Sequence, residues 1–255
     1  TRCGRDWSSD VCSSDLIERN MTKMKVLGLI GGTSWHSTTE YYRNINQAVN
    51  DHFGDNTNPP LLLFNLNQSA VHAFQKEDNW EAIADLIIEA ALSLQKAGAE
   101  ALILCANTPH RVYELVSIRV KTPILHIADA TAAFIQKKGI KKVGFIGTKF
   151  TMEQNFITDR ISQRGIEVLV PKDKEVIDEL HRIIQQELTF GEVKESSKAY
   201  VTNCLMSMIE QGAEGIILGC TEFPLMFTAG DLPVSVFNTT EIHSKTAVDY
   251  ILGIA

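Results

Sequence analysis

Cys220, Thr221 and Glu222 stand in succession at the end of Gly215-Ile-Ile-Leu-Gly219, a short apolar run. A thiol, a hydroxyl and a carboxylate side by side can carry a proton or hold a polar ligand. The run before them suits one buried parallel strand and is too short for a helix. Open α/β sheets take ligands beyond the carboxyl ends of their strands, where this triplet falls. An isolated cysteine there is more often a core residue than a chemical one. Here, however, the pattern occurs twice. Gly98-Ala-Glu-Ala-Leu-Ile-Leu-Cys-Ala-Asn-Thr-Pro109 lies over Gly212-Ala-Glu-Gly-Ile-Ile-Leu-Gly-Cys-Thr-Glu-Phe223 at an offset of 114 residues. The openings Lys25-Val-Leu-Gly-Leu-Ile-Gly31 and Lys142-Val-Gly-Phe-Ile-Gly147 correspond in the same way, 117 residues apart. A repeat of this length is a whole α/β lobe, not a solenoid unit. Two such lobes facing each other put Cys220 and the Cys105–Thr108 region on opposite sides of one cleft, a geometry suited to chemistry on two faces of one carbon.

The repeat sets Cys220 opposite Ala106, and Cys105 opposite Gly219. Successive strand residues point to opposite faces, so Cys105 is expected to look away from the cleft unless its strand has already ended.

Short apolar runs alternating with amphipathic stretches predict parallel sheets wrapped by helices. In the first lobe, residues 21–121, strands are expected at Val26–Ile30, Leu61–Phe64 and Leu102–Cys105. Helices are expected from Thr38 or Thr39 to Val49, over Trp80–Lys96 and after Pro109, with Asn65–Gln75 a cleft-lining connection. In the second lobe, residues 122–239, strands fall at Ile124–Ile127, Val143–Ile146, Val168–Val170, Ile216–Leu218 and Val234–Phe237. Helices fall at Asp129–Lys137, Met152–Arg164, Lys174–Leu188 and Lys194–Gln211, with another opening after Cys220. The last helix, within residues 240–255, is expected to return to the first lobe. The fold class is thus α/β, two pseudosymmetric lobes with the site between them.

Residues 1–20 are read as a non-native leader. Asp6-Trp-Ser-Ser-Asp-Val-Cys-Ser-Ser-Asp-Leu16 resembles an in-frame translation of a sequencing-adapter oligonucleotide, and the lack of an apolar stretch, with charges at Arg2, Arg5, Asp6, Asp10 and Asp15, argues against the rival reading as a signal peptide. About 230 residues remain, enough for one large core or two modest ones. A formal charge of −7 gives no basic footprint for nucleic acid, and no apolar run reaches membrane-spanning length. Cys105, Cys204 and Cys220, an odd set, point to free thiols and a cytoplasmic location. The seven histidines have no metal-ligand spacing. Gly28-Leu-Ile-Gly31-Gly32 lacks the dinucleotide spacing, and the second strand leads to Asn65 and Asn67 rather than to an acid for a ribose. No cofactor or metal is expected. The Gly31-Gly-Thr-Ser34 turn ahead of a helix is instead an anion seat through its backbone N–H groups. Cys204, Trp35 and Trp80 read as packing residues, with Trp35 near enough to the turn to border the cleft. His243 reads equally as a capping or surface residue and as a site residue.

Three motifs in order, Gly31-Gly-Thr-Ser-Trp-His-Ser-Thr-Thr-Glu-Tyr-Tyr-Arg43-Asn-Ile-Asn46, Cys105-Ala-Asn-Thr-Pro-His110 and Gly219-Cys-Thr-Glu222, resemble the cofactor-independent aspartate/glutamate racemases. The resemblance runs from about Lys23 to the chain end and is strongest to the aspartate and broad-specificity branch. It implies a two-lobed homodimer that inverts the α-carbon of aspartate, glutamate or a related amino acid by cysteine-mediated proton transfer. Matched position by position, it implies Cys220 as a catalytic residue and Thr33, Gln75, Asn107, Thr108 and Thr221 as substrate-holding residues. The family's other catalytic position is Ala106 here, with Cys105 the nearest thiol. A helix N-terminus after Cys220 would lower the thiol pKa. Arg43, Lys149, Lys172 and Lys174 are candidate cations for a substrate side chain. Two other readings stay open: a single-cysteine relative such as a malonate-type decarboxylase, and a non-catalytic binder of acidic ligands.

Overall fold

The computed structural model describes residues 24–254. The leader assigned to residues 1–20 lies outside the described residues. The first half runs β1 (Leu27–Gly31), α1 (Trp35–Phe53), β2 (Leu61–Asn65), α2 (Gln68–Lys76), α3 (Trp80–Lys96), β3 (Ala101–Leu104), a 3-10 turn at Thr108–Val112, α4 (Tyr113–Ser117), β4 (Ile124–Leu125) and α5 (Ile127–Lys137). The second runs β5 (Lys142–Gly147), α6 (Lys149–Glu153), α7 (Thr158–Ser162), β6 (Glu167–Leu169), α8 (Lys174–Gln186), a 3-10 turn at Leu188–Phe190, α9 (Glu195–Glu210), β7 (Gly215–Gly219), β8 (Ser235–Asn238) and α10 (Thr239–Leu252). These form two four-stranded sheets of one design, in order β2-β1-β3-β4 and β6-β5-β7-β8. All pairings are parallel.

The central strands β1, β3 and β7 are buried along their whole length, which is why they read as unbroken apolar runs. Alternation sorts the first sheet cleanly. Ile30, Leu102 and Leu104 pack with Trp80, Ile83 and Ile87 of α3. Leu27, Leu29, Ala101, Ile103 and Cys105 pack with Tyr41 and Ile45 of α1 and with Ala247 and Ile251 of α10.

The structure departs from the sequence reading in several places. The strand at Ile124, expected to open the second sheet, pairs with Leu102 and Ile103 and is the edge of the first. Helix α1 starts before Thr38 because Ser34, in extended backbone, caps it by accepting from the Ser37 N–H. The connection at Asn65–Gln75 is mostly helical, capped by Asn67. The expected helix over Met152–Arg164 is two short ones, since Gln154 is extended (φ −117°, ψ 127°) and breaks the run. No helix of the described residues is long and apolar enough to cross a membrane.

Helices α5 and α10 are exchanged between the sheets. Helix α5 follows a strand of the first sheet, yet Ile127, Ala132 and Ile135 are buried with Phe145 and Leu205 in the core of the second. Helix α10 follows β8 and buries Ala247, Val248 and Ile251 in the core of the first. The Lys25 N–H donates to the Ile251 carbonyl at 2.9 Å, and the Tyr250 hydroxyl to Glu100 O at 2.9 Å. The return of the last helix is therefore matched by a crossing in the other direction.

Three buried histidines fill the crossing. The rings of His110 and His126 lie 4.5 Å apart, and those of His110 and His243 5.7 Å apart. Each ring has its proton fixed by its partners. His110 Nδ1–H donates to Ala106 O at 2.9 Å while Nε2 accepts from the Ile127 N–H. His126 Nδ1 accepts from the Ala128 N–H. His243 Nε2–H donates to Leu125 O at 2.9 Å, and Nδ1 accepts from the Tyr41 hydroxyl at 2.8 Å. His243 is thus a bracket between the sheets and neither a cap nor a surface group.

Burial holds all three neutral, with His243 pushed down to about 4 and His110 to about 3. A histidine depressed in the folded state binds fewer protons there than when unfolded, so stability is complete above the unfolded value near 6.5 and is lost as pH falls below it. Urea titrations at pH 7 and pH 5 should show a loss on the order of 1–2 kcal/mol per histidine, before the carboxylates titrate. The exchange of α10 makes a second expectation. Ile251→Ala should cost about 2–5 kcal/mol in a single transition monitored by circular dichroism, because the cavity opens in a core that both halves build.

Candidate active site

The carboxyl ends of β1 and β3 face those of β5 and β7 across a cavity of about 230 Å³. From the first sheet side come Thr33 and Ser34 after β1, Ala106, Asn107 and Thr108 after β3, and Gln68, His72 and Gln75 from α2. From the second come Gly219, Cys220, Thr221 and Glu222 after β7, Thr148 and Phe150 after β5, and His181 and Gln185 from α8. Thr189 and Phe190 close it.

Glycine makes the approach of these segments feasible. Gly32 sits at φ +83°, where a Cβ would run into the backbone of Leu66. At Gly219 a Cβ would strike the ring of Phe145.

Strand alternation persists one residue past β3. Cys105 is fully buried against α1, its N–H donating to Ile30 O at 2.9 Å and its carbonyl accepting from the Ser37 hydroxyl. Burial pushes its thiol far up, so it is a core thiol. Ala106 takes the place facing the cavity. Next to it, the Asn107 side-chain amide donates to Thr239 Oγ1 at 3.0 Å, and Thr239 in turn donates to Leu218 O at 3.0 Å. Asn107 Oδ1 and Thr33 Oγ1 are buried without a hydrogen-bond partner. The hydroxyls of Thr108 and Thr148 meet at 3.2 Å across the cleft.

On the other wall, Cys220 is 7% exposed. Its Sγ–H donates to Glu222 Oε2 at 2.8 Å, and the Thr221 hydroxyl donates to the same oxygen at 2.8 Å. Burial, and then the charge of Glu222, raise the thiol pKa well above its ordinary value. The helix expected to lower it is a single 3-10 turn at Phe223–Leu225, too short for a useful dipole. Cys220 is therefore a protonated thiol with an acceptor already in contact.

All of Thr33, Gln75, Asn107, Thr108, Thr221 and Cys220 meet in the cavity, while Cys105 does not. None of the four cations reaches it. Arg43 pairs with Glu40 on the exposed face of α1. Lys149 Nζ is held by Asp178 at 2.5 Å and Glu153 at 3.8 Å. Lys172 borders a separate groove along β6 and α9, where Tyr200 and half-buried Cys204 also lie. Lys174 is exposed at the start of α8. The anion seat is partly spent, since the Gly32 N–H donates to Thr38 Oγ1 at 2.9 Å and the Ser37 N–H to Ser34 Oγ at 3.4 Å. Trp35 is exposed outside the cavity, whereas Trp80 packs against Phe150 and under Arg111. Among the described residues no group of three or more His, Cys, Asp or Glu is placed to hold a metal.

Sequence reasoning passed over His72, His181 and Gln185 as site residues. His181 and Gln185 lie on a helix whose polar face looks like ordinary solvated surface until the sheets are brought together, whereas His72 falls within the Asn65–Gln75 stretch expected to line the cleft. For Glu222 the local signal was its adjacency to Cys220.

Residues 30–247 match the family model described as Asp/Glu/hydantoin racemase. The broad specificity amino-acid racemase RacX of Bacillus subtilis is 22% identical over 89% of this chain and 99% of its own length. A candidate Asp/Glu racemase from Yersinia pestis is 42% identical in its crystal structure, with TM-score 0.85, covering 90% of this chain and all of that one. An aspartate racemase homologue from Pyrococcus horikoshii OT3 is 39% identical, with TM-score 0.79 over 89% of this chain and 98% of its own. Two like sheets, a thiol at the repeat-related strand end and a match over most of its length lead to one conclusion: the chain belongs to the Asp/Glu/hydantoin racemase family and is an isomerase.

Proposed function

We propose that this protein is a cofactor-independent racemase of small α-amino acids in which Cys220 transfers the α-proton. The observation that carries the reading is the convergence of two repeat-related strand ends, Ala106–Thr108 and Gly219–Glu222, on one cavity with a thiol already donating to a carboxylate. Buried Asn107 Oδ1 is an acceptor for the α-ammonium group, and the hydroxyls of Thr33 and Thr108 are donors for the α-carboxylate, with Thr221 beside them on the cavity wall. Those donors also stabilise charge that develops on the carboxylate when the α-proton leaves. Glu222 takes the thiol proton when Cys220 acts as a base, and Cys220 acts as an acid from its resting, protonated state. The family likeness extends the proposal to a homodimer working in the cytoplasm, where the free thiols Cys105, Cys204 and Cys220 stay reduced.

The same cavity supports a substrate whose side chain is uncharged. Among the described residues lining it there is no lysine or arginine, and Glu222 is its one carboxylate. His72 and His181 are held neutral, chiefly by burial. A second carboxylate, as aspartate or glutamate would bring, meets a like charge and no cation. The amides of Gln68, Gln75 and Gln185 suit a hydroxyl or amide side chain instead. In a panel of L- and D-amino acids followed by circular dichroism without added cofactor, uncharged substrates should racemise at least about tenfold faster than aspartate or glutamate, a difference of about 1.4 kcal/mol. Aspartate as the best substrate would refute this assignment.

One observation favours a second reading: Ala106 brings no exchangeable proton to the cavity. An enzyme that protonates one face only, such as a decarboxylase of malonate-like acids, needs Cys220 alone. Carbon dioxide release from substituted malonates, without racemisation in the panel, would select it.

The two cysteines should separate in mutagenesis. Cys220→Ala should lower turnover by about 10² or more, the contribution of a positioned acid or base. Cys105→Ala should leave turnover within a few-fold and cost about 1 kcal/mol in urea unfolding, because its thiol only fills the core behind β3. Equal losses of activity in two folded variants would contradict the orientation of Cys105.

A further inference from the structure

Inversion at the α-carbon requires a proton carrier on each face, and the second sheet supplies one, Cys220. At the first-sheet position facing it stands Ala106, which carries no exchangeable proton. The titratable side chains lining the cavity are His72, His181, Cys220 and Glu222. Three of these belong to the second half, His181 on α8 and the other two after β7. His181 is also engaged, its Nδ1 accepting from the Lys149 N–H at 3.4 Å. Among the described residues the first half contributes His72 alone, on α2 between Gln68 and Gln75, which line the same cavity. Helix α2 begins three residues beyond β2, whose last residue pairs with Gly31, so the histidine stands over the first sheet's strand ends.

We propose that His72 is the acid–base group of the first face, moving from α2 the proton that Ala106 cannot move from the end of β3. The assignment rests on the racemase reading above. An imidazole is longer than a cysteine side chain, so it can serve the cleft from a helix set behind the strand end. Burial, with Lys76 one turn on, keeps the ring neutral and able to accept a proton. Cys220 across the cavity carries one. In this state the imidazole nitrogen takes the α-hydrogen as a proton and the C–H electron pair stays on the substrate, delocalised into its carboxylate. The thiol then gives its proton to the opposite face. One C–H and one S–H bond break, one N–H and one C–H bond form, and the site is left as imidazolium and thiolate. That pair is the state needed for the opposite enantiomer, which resets it.

The test uses the full chain and an amino acid that the wild-type protein racemises. Racemisation is followed by circular dichroism and α-hydrogen exchange by NMR in heavy water. His72→Asn should lower racemisation by about 10² or more. One enantiomer should still exchange its α-hydrogen through Cys220 at close to the wild-type rate. Adding Ala106→Cys to that variant should recover racemisation at least about tenfold, because a thiol then stands on the vacant face. A His72→Asn protein that racemises within threefold of wild type overturns the proposal. So does a gain of tenfold or more from Ala106→Cys alone, which would mean that the first face was unserved. A wild-type protein that neither racemises nor exchanges any amino acid overturns the racemase reading itself, and the role of His72 with it.

Discussion

The ends of β3 and β7 are tied together by a buried relay in which Asn107 donates to Thr239 and Thr239 donates to the carbonyl of Leu218. Thr239 is the first residue of α10, the helix that leaves the second sheet to complete the core of the first. One hydrogen-bonded contact therefore fixes the span between the walls of the cavity, and the packing of an exchanged helix holds it in place. Helix α5 makes the reciprocal crossing, and the three neutral histidines between the two close the junction, each hydrogen-bonded to the main chain around it. Ordering of this kind suits proton transfer, where small errors in placement are costly.

The interior of the cleft is built to carry little charge. Lys149, the cation nearest in sequence to the cavity residues Thr148 and Phe150, is drawn off by Asp178 and Glu153. Arg111 lies over Trp80 and pairs with Asp78 at 3.2 Å. What remains inside is Glu222, with a thiol and a hydroxyl both donating to one of its oxygens. Desolvation then favours a protonated Cys220, and on the proposed mechanism a thiolate forms only in turnover, once the proton has moved to the substrate.

The sequence by itself determined the α/β class, the two-lobe plan, the return of the last helix and the place of Cys220 at a strand end facing the cleft. These are carried by features that act locally or by repetition: unbroken apolar strands, a 114-residue offset and a period of two. Even the outward aim of Cys105 followed from that period, because alternation survives for one residue beyond β3. Only the tertiary structure decided which strand belongs to which sheet, since Ile124–Leu125 chooses its partner by main-chain hydrogen bonds that any apolar pair can make. It alone decided that His181 faces a cavity rather than water, because a helix shows the same polar stripe in either setting. It also overrode the expectation of a lowered thiol pKa, since the electrostatics of Cys220 depend on how deeply the turn after β7 is buried and on the carboxylate folded back against it.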